Sequence, residues 1–124
     1  MGREIILVAI GGGLGAVGRY AVGGWLGRGD SAFPWHTLAI NVTGALLIGV
    51  LMGASTDRAL IGPDWRLFLG TGVLGGYTTF STLAYETVRL MEQGFLVPAA
   101  LNMFGTGVAG IVAAVVGMLL GRLL

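Results

Sequence analysis

The chain has 124 residues, of which 55% are hydrophobic and only 10% are charged, and its formal net charge is +1 at pH 7. A soluble domain carries about 25% charged residues, so this composition indicates an integral membrane protein and argues against a soluble enzyme; it also lacks the basic patch that a nucleic-acid binder needs. Cysteine is absent and His36 is the only histidine, which excludes disulfides and cysteine-based or histidine-based zinc sites.

Four long apolar stretches predict four membrane helices, because each crossing needs about 20 apolar residues. The predicted helices cover approximately 4–26, 35–55, 65–90 and 95–120. Charged residues mark the loops between them: Arg28 and Asp30, then Asp57, Arg58, Asp64 and Arg66, then Glu86, Arg89 and Glu92. We therefore expect an all-α membrane protein that forms a single transmembrane domain over residues 1–124.

The first span is expected to be retained rather than cleaved, since it is long, carries Arg19 and has no A-x-A site. Its glycines recur at four-residue spacing, at Gly11 and Gly15 and again at Gly23 and Gly27. Small residues at this spacing predict close helix packing. Arg19 either snorkels toward the membrane surface or forms an electropositive entrance for an anion.

Orientation in the membrane is only weakly specified. With four spans, the side that holds both termini and the second loop carries four arginines, and the opposite side carries three when Arg19 is included. Because the excess of positive residues sets orientation, so small a difference is compatible with insertion in either direction.

Polar side chains also occur inside the second and fourth spans. Thr37 and Asn41 share one face of the second span, and Asn102, Thr106 and Gly110 form a polar stripe along the fourth. An amide in hydrocarbon must face a partner helix or water. These residues are thus either interhelical hydrogen-bonding groups or the lining of a pathway.

The third span is the most unusual, because paired glycines stand beside clustered hydroxyl residues in 70–83. Such a sequence disfavours a regular helix and predicts an interruption between Gly75 and Thr79. An interrupted helix at membrane depth is tolerated only where it is buried in protein or lines a cavity, and its freed backbone groups can face ions. The alternative is a continuous helix whose hydroxyls bond back to its own carbonyls.

Taken together, the motifs in 11–20, 37–44 and 75–82, followed by Glu86, resemble the signatures of the Fluc (CrcB) fluoride channel family, in order and over nearly the whole chain. The resemblance implies a fluoride-selective channel that exports cytoplasmic fluoride passively. It also implies an antiparallel, dual-topology homodimer in the lipid of the inner (plasma) membrane, a structural Na⁺ at its centre, and neither enzyme activity nor a nucleic-acid partner.

The same resemblance implies residue roles. The Na⁺ is expected on the backbone carbonyls of Gly75 and Thr78, and Arg19 is expected in a vestibule. The residues implied for the fluoride path are Asn41, Phe80, Thr37, Thr79, Ser81, Thr82, Leu83, Asn102 and Thr106. Leu83 stands where the family has a second pore phenylalanine. Either Leu83 replaces that residue as an apolar wall of the pore, or the pore lacks one aromatic contact to the ion.

Two other functions are weighed against this one. A small proton-coupled multidrug exporter of the four-helix, dual-topology type needs a membrane-embedded carboxylate, and the candidate is Glu86, which we expect in an ion pair with Arg89 or at an interface. A non-transporting scaffold of glycine-packed helices would leave the Thr-Thr-Phe-Ser-Thr run at 78–82 unexplained.

Overall fold

The computed structural model describes residues 1–27, 31–58 and 60–124, and every regular element in these residues is a helix. The helices are α1 (Gly2–Leu26), α2 (Trp35–Arg58), α3 (63–77), α4 (Phe80–Glu92) and α5 (Leu96–Leu123). Of these, α1, α2 and α5 are each long and apolar enough to cross a membrane. The predicted loop residues Arg28 and Asp30 lie outside the described residues.

The predicted interruption of the third span is confirmed. Helices α3 and α4 together form this span, and they are separated at Thr78 and Thr79, whose backbones are extended. Helix α3 begins with Pro63, a residue suited to the first turn because its missing N–H is not needed there. It then continues as a π-helix over Leu67–Leu74 up to the glycines before the break.

Glycines bring the helices into backbone contact. A Cβ placed on Gly11 of α1 would lie 2.6 Å from the carbonyl oxygen of Phe68 in α3, and one on Gly15 would lie 2.8 Å from the backbone nitrogen of Tyr77. Helices α2 and α5 meet in the same way, since a Cβ on Gly117 would lie 3.0 Å from the backbone nitrogen of Val50. This close packing fixes α1 against the segment that leads into the break.

The second glycine pair of α1 behaves differently from the first. A Cβ on Gly23 would lie 3.9 Å from the Ile40 side chain, at ordinary contact distance, and one on Gly27 would lie 3.7 Å from Nδ1 of His36. Neither glycine brings α1 against the backbone of another helix. The expectation of close packing therefore holds for Gly11 and Gly15 but not for Gly23 and Gly27, because the latter two meet side chains of α2 rather than its backbone.

An ion pair shows which segments lie at the same end of the helix bundle. Arg3 at the start of α1 pairs with Asp64 at the start of α3, with 3.3 Å between Arg3 Nη2 and Asp64 Oδ1. The N-terminus and the second loop thus lie on the same side, as an even number of crossings requires. The opposite end holds the start of α2 and the end of α4.

The glycine contacts generate a stability prediction. Gly15→Ala should lower the melting temperature of the detergent-solubilised protein, because the added methyl group overlaps the backbone of α3 and overpacking costs about 1–3 kcal/mol. Gly13→Ala is the matched control, since nothing lies within 4 Å of a Cβ at that position. Equal melting temperatures for the two variants would contradict the packing described above.

Candidate functional site at the break in the third span

The break between α3 and α4 is held by one side chain from α2. The Thr79 N–H donates to Oδ1 of Asn41 over 2.8 Å, and Nδ2 of Asn41 donates to the Thr79 carbonyl over 3.1 Å. The amide thus satisfies both backbone groups of Thr79, as a neighbouring β-strand would. Since an amide carries two N–H donors, the second N–H of Asn41 is not used by Thr79.

The interruption separates carbonyls of the third span from their helical donors, and those of Gly75 and Thr78 are among them. In a continuous helix the Thr79 N–H would bond to the carbonyl of Gly75, but here it bonds to Asn41. The Thr82 N–H, which would reach the carbonyl of Thr78, instead bonds to Oγ1 of Thr79 over 3.2 Å as the N-cap of α4. These two carbonyls are the ones that the family resemblance implied as Na⁺ ligands.

Arg19 occupies the other side of the break. Its Nε donates to the carbonyl of Gly76 over 3.2 Å, where a cation also interacts favourably with the C-terminal end of α3. It lines a cavity of about 660 Å³, here called the Arg19 cavity, which extends between α1 and α2 and includes His36, Thr37, Thr79 and Thr82. Arg19 therefore lines this cavity, and its hydrogen bond to Gly76 holds it at the end of α3, next to the break.

A second concavity also borders Thr79. This groove of about 380 Å³, here called the Phe80 groove, includes Asn41, Phe80, Leu83 and Thr106. Phe80 is 69% exposed, whereas Leu83 is buried in the groove wall. Because Thr79 lines both the Arg19 cavity and the Phe80 groove, the break is the point where the two concavities adjoin.

The hydroxyl residues after the break form a small cluster. Oγ1 of Thr79 donates to Oγ1 of Thr82 over 3.0 Å and lies 3.4 Å from Oγ of Ser81. Ser81 is exposed and Thr82 is half-buried. The structure thus brings together Asn41, Thr79, Ser81 and Thr82, which the family resemblance implied for the fluoride path.

The polar stripe of the fourth span is largely enclosed within this chain. Asn102 is fully buried, and its Nδ2 donates to Oγ1 of Thr87 over 3.1 Å and to the Leu83 carbonyl over 3.5 Å. The Oδ1 of Asn102 and the Oγ1 of Thr106 are buried without a hydrogen-bond partner among the described residues. Asn102 therefore fastens α5 to α4, while Thr106 borders the Phe80 groove.

Thr37 lies near Asn41 along α2 but its hydroxyl is engaged elsewhere. It is buried and donates to Oε1 of Glu86, and Nε2 of His36 lies 3.5 Å from Oε2 of the same carboxylate. Of the two alternatives expected for Glu86, the ion pair with Arg89 is not seen among the described residues, where the carboxylate lies against His36 instead. No pattern in the sequence indicated this contact beyond the need of a membrane carboxylate for donors.

Gly75 and Thr78 also line a third concavity. A cleft of about 300 Å³, here called the Gly75 cleft, is lined by Gly75, Thr78 and Asn41 together with residues of α2. In the part of the chain that the structure describes, no three histidine or acidic side chains come together as metal ligands. A cation in this cleft would therefore be held by backbone, amide or hydroxyl oxygens rather than by carboxylates or imidazoles.

Comparison with known proteins identifies the family of this chain. Residues 6–118 match the family described as CrcB-like protein, Camphor Resistance (CrcB). The chain belongs to this family. Since CrcB-family chains are ion-channel proteins rather than enzymes, and this one has several helices able to cross a membrane, it is a multi-pass membrane protein.

Curated relatives match over almost the full length. A "Fluoride-specific ion channel FluC" of Thermus thermophilus is 46% identical, over 98% of this chain and 96% of that protein. Proteins of the same name from Acidobacterium capsulatum and Syntrophotalea carbinolica are 47% and 43% identical; the first match covers 96% of both chains, the second 96% of this chain and 98% of the relative.

Proposed function

We propose that this CrcB-family protein is a fluoride-specific ion channel that lets cytoplasmic fluoride leave the cell passively. The observation that carries the proposal is the break held by Asn41, which joins two concavities at membrane depth. Near-full-length similarity to proteins named fluoride-specific ion channels supports it. Export down the electrochemical gradient needs no further energy source.

The chemistry of the site suits a small, strongly hydrated anion. A pore must replace the hydration shell of an ion yet release the ion again. The remaining N–H of Asn41 and the hydroxyls of Ser81 and Thr82 are neutral donors, which stabilise fluoride without trapping it. The exposed ring of Phe80 adds the positive edge of an aromatic quadrupole.

The functional unit is proposed to be an antiparallel homodimer. In one chain the Phe80 groove is open, Phe80 is exposed, and the extended backbone at the break borders this surface. Irregular backbone is tolerated at membrane depth only where protein or a cavity covers it. A second copy would convert each groove into a closed pore, and the even distribution of arginines supports its insertion in the opposite orientation.

A structural Na⁺ is proposed at the centre of this dimer. The released carbonyls of Gly75 and Thr78 fit such an ion, because hard cations take oxygen ligands, and a second copy would supply a second pair. When bound, Na⁺ supplies positive charge near the anion path. The chain's own part is to keep these carbonyls free, which the bonds of Asn41 and Thr79 do.

The alternative of a proton-coupled multidrug exporter has one observation in its favour, a carboxylate inside the third span. Glu86, however, is held by Thr37 and His36 near the start of α2 rather than at the centre of the bundle. Coupled exchange requires a proton gradient, and a channel does not. Fluoride flux without a pH gradient therefore distinguishes the two functions.

The first test is efflux from liposomes that contain only this purified protein, at equal pH on both sides. We expect rapid fluoride efflux and no chloride efflux. Asn41→Leu should lower the fluoride rate by about tenfold or more, because losing hydrogen bonds to a charged ligand costs roughly 1.5–3 kcal/mol.

The matched control for this variant is Val42→Leu, on the neighbouring residue, which faces an apolar concavity rather than the break. Dimer content is measured by crosslinking in each preparation. Undiminished efflux through a fully assembled Asn41→Leu dimer would refute the role of Asn41 in the pathway.

A second prediction concerns Leu83. Its burial in the groove wall supports a role as an apolar barrier, so Leu83→Phe should change fluoride rate and fluoride-over-chloride selectivity less than about twofold, as expected when an apolar lining is preserved. Phe80→Leu, which removes the exposed ring, should lower the rate. A several-fold faster fluoride efflux in Leu83→Phe at constant dimer content would show that a second ring edge is missing.

A third prediction concerns the cation. Replacing Na⁺ by N-methylglucamine should lower the melting temperature, and restoring Na⁺ should reverse the change, since a ligand at 100 times its dissociation constant stabilises by about 2.7 kcal/mol. Potassium at equal ionic strength controls for salt. A melting temperature that does not respond to Na⁺ would argue against a structural cation.

A further inference from the structure

We propose that His36 and Glu86 form a titratable charge pair at the entrance of the Arg19 cavity, and that protonation of His36 increases the fluoride current. The proposal rests on the channel function proposed above. It assigns a role in anion entry to a histidine that lies outside the helix break.

The position of His36 places it beside the anion route. It is the second residue of α2, so it lies near the membrane surface, and it lines the Arg19 cavity that reaches Thr79 at the break. It also lines a smaller cavity of about 170 Å³ toward the loop before α2, which Glu86 shares. An anion that enters from this side passes the His36–Glu86 pair before it reaches the break.

The carboxylate of Glu86 is oriented by both of its neighbours. Oε1 accepts the hydroxyl hydrogen of Thr37, and Oε2 lies 3.5 Å from Nε2 of His36. The Glu86 side chain is 16% exposed and that of His36 is 35% exposed. The carboxylate is thus fixed in place, while the imidazole remains accessible to protons from solvent.

The charges around the cavity determine the direction of the effect. In the described residues, the charged and titratable groups facing His36 are Arg19 and Tyr20 from α1 and Glu86 from α4. When His36 is neutral, the positive charge of Arg19 and the negative charge of Glu86 sum to zero. Protonated His36 leaves an excess of one positive charge, which raises the local concentration of fluoride.

The direction of the pH effect follows from the charge that a proton adds to an imidazole. Current should therefore be highest at acidic pH and fall as the pH rises and His36 loses its proton. This direction matches the chemistry of the cargo. Fluoride crosses membranes as neutral HF in acidic surroundings, so a channel with this pair is most conductive when the entry of HF is fastest.

The test is fluoride current through the full-length protein in planar bilayers, with the same pH on both sides. Electrical recording excludes neutral HF, which carries no current. At low ionic strength the wild-type current should rise on the order of threefold from about pH 8 to about pH 5.5, the effect of one added unit charge near the entrance.

Two variants test the assignment to His36. His36→Gln should give a current that does not change with pH, and His36→Arg should hold the high current of the acidic wild type across the range. The wild type provides an additional check, because raising the salt to about 1 M shortens the Debye length to about 3 Å and should flatten its pH dependence.

A wild-type current that stays constant with pH would overturn this proposal and leave the channel function intact. An unchanged pH dependence in His36→Gln would overturn it as well, as would a pH dependence that high salt does not reduce. If no fluoride current is found at any pH, the channel function itself fails, and this inference fails with it.

Discussion

The architecture of the site depends on the two hydrogen bonds between the Asn41 amide and the backbone of Thr79. A helix interrupted inside a membrane leaves backbone groups without partners, and each unsatisfied group in hydrocarbon is costly. One side chain that donates and accepts at the same residue removes two of these costs. It also leaves the carbonyl of Gly75 without its helical donor, as the N-cap bond of Thr79 does for the carbonyl of Thr78.

The remaining contacts at the break work in the same direction. Because Thr79 is the N-cap of α4, the helix begins at the next residue, and the extended segment is limited to Thr78 and Thr79. Arg19 of α1 donates a hydrogen bond to the Gly76 carbonyl at the end of α3. A short, well-held interruption gives two fixed concavities rather than a flexible loop, and a selective anion path requires such fixed geometry.

Much of this arrangement could be predicted from the sequence. The uncharged stretches marked the helices, and the paired glycines with clustered hydroxyls located the break, since both patterns reflect local preferences of the backbone. Contacts between distant segments could not be predicted in this way. The spacing of Thr37 and Asn41 placed both on one face, but did not show that Thr37 bonds to Glu86 while Asn41 bonds to Thr79.

The polar stripe of α5 illustrates the same limit. Periodicity placed Asn102 and Thr106 on one face, but whether an amide lines a pathway or fastens two helices depends on the neighbour it meets. Here Asn102 meets Thr87 and the carbonyl of Leu83, so its N–H groups are committed inside the chain. Its Oδ1 is buried without a partner among the described residues, and the periodicity of the sequence does not predict this.

The glycine contacts between α1 and α3 have a consequence for how this protein varies among its relatives. In most cores, a larger residue on one helix is accommodated by a smaller residue on its neighbour. Gly11 opposite Gly72 allows no such exchange, because no residue is smaller than glycine. Changes at this contact cannot be compensated one pair at a time, so the helix spacing that positions the break is expected to be inherited unchanged while lipid-facing positions diverge.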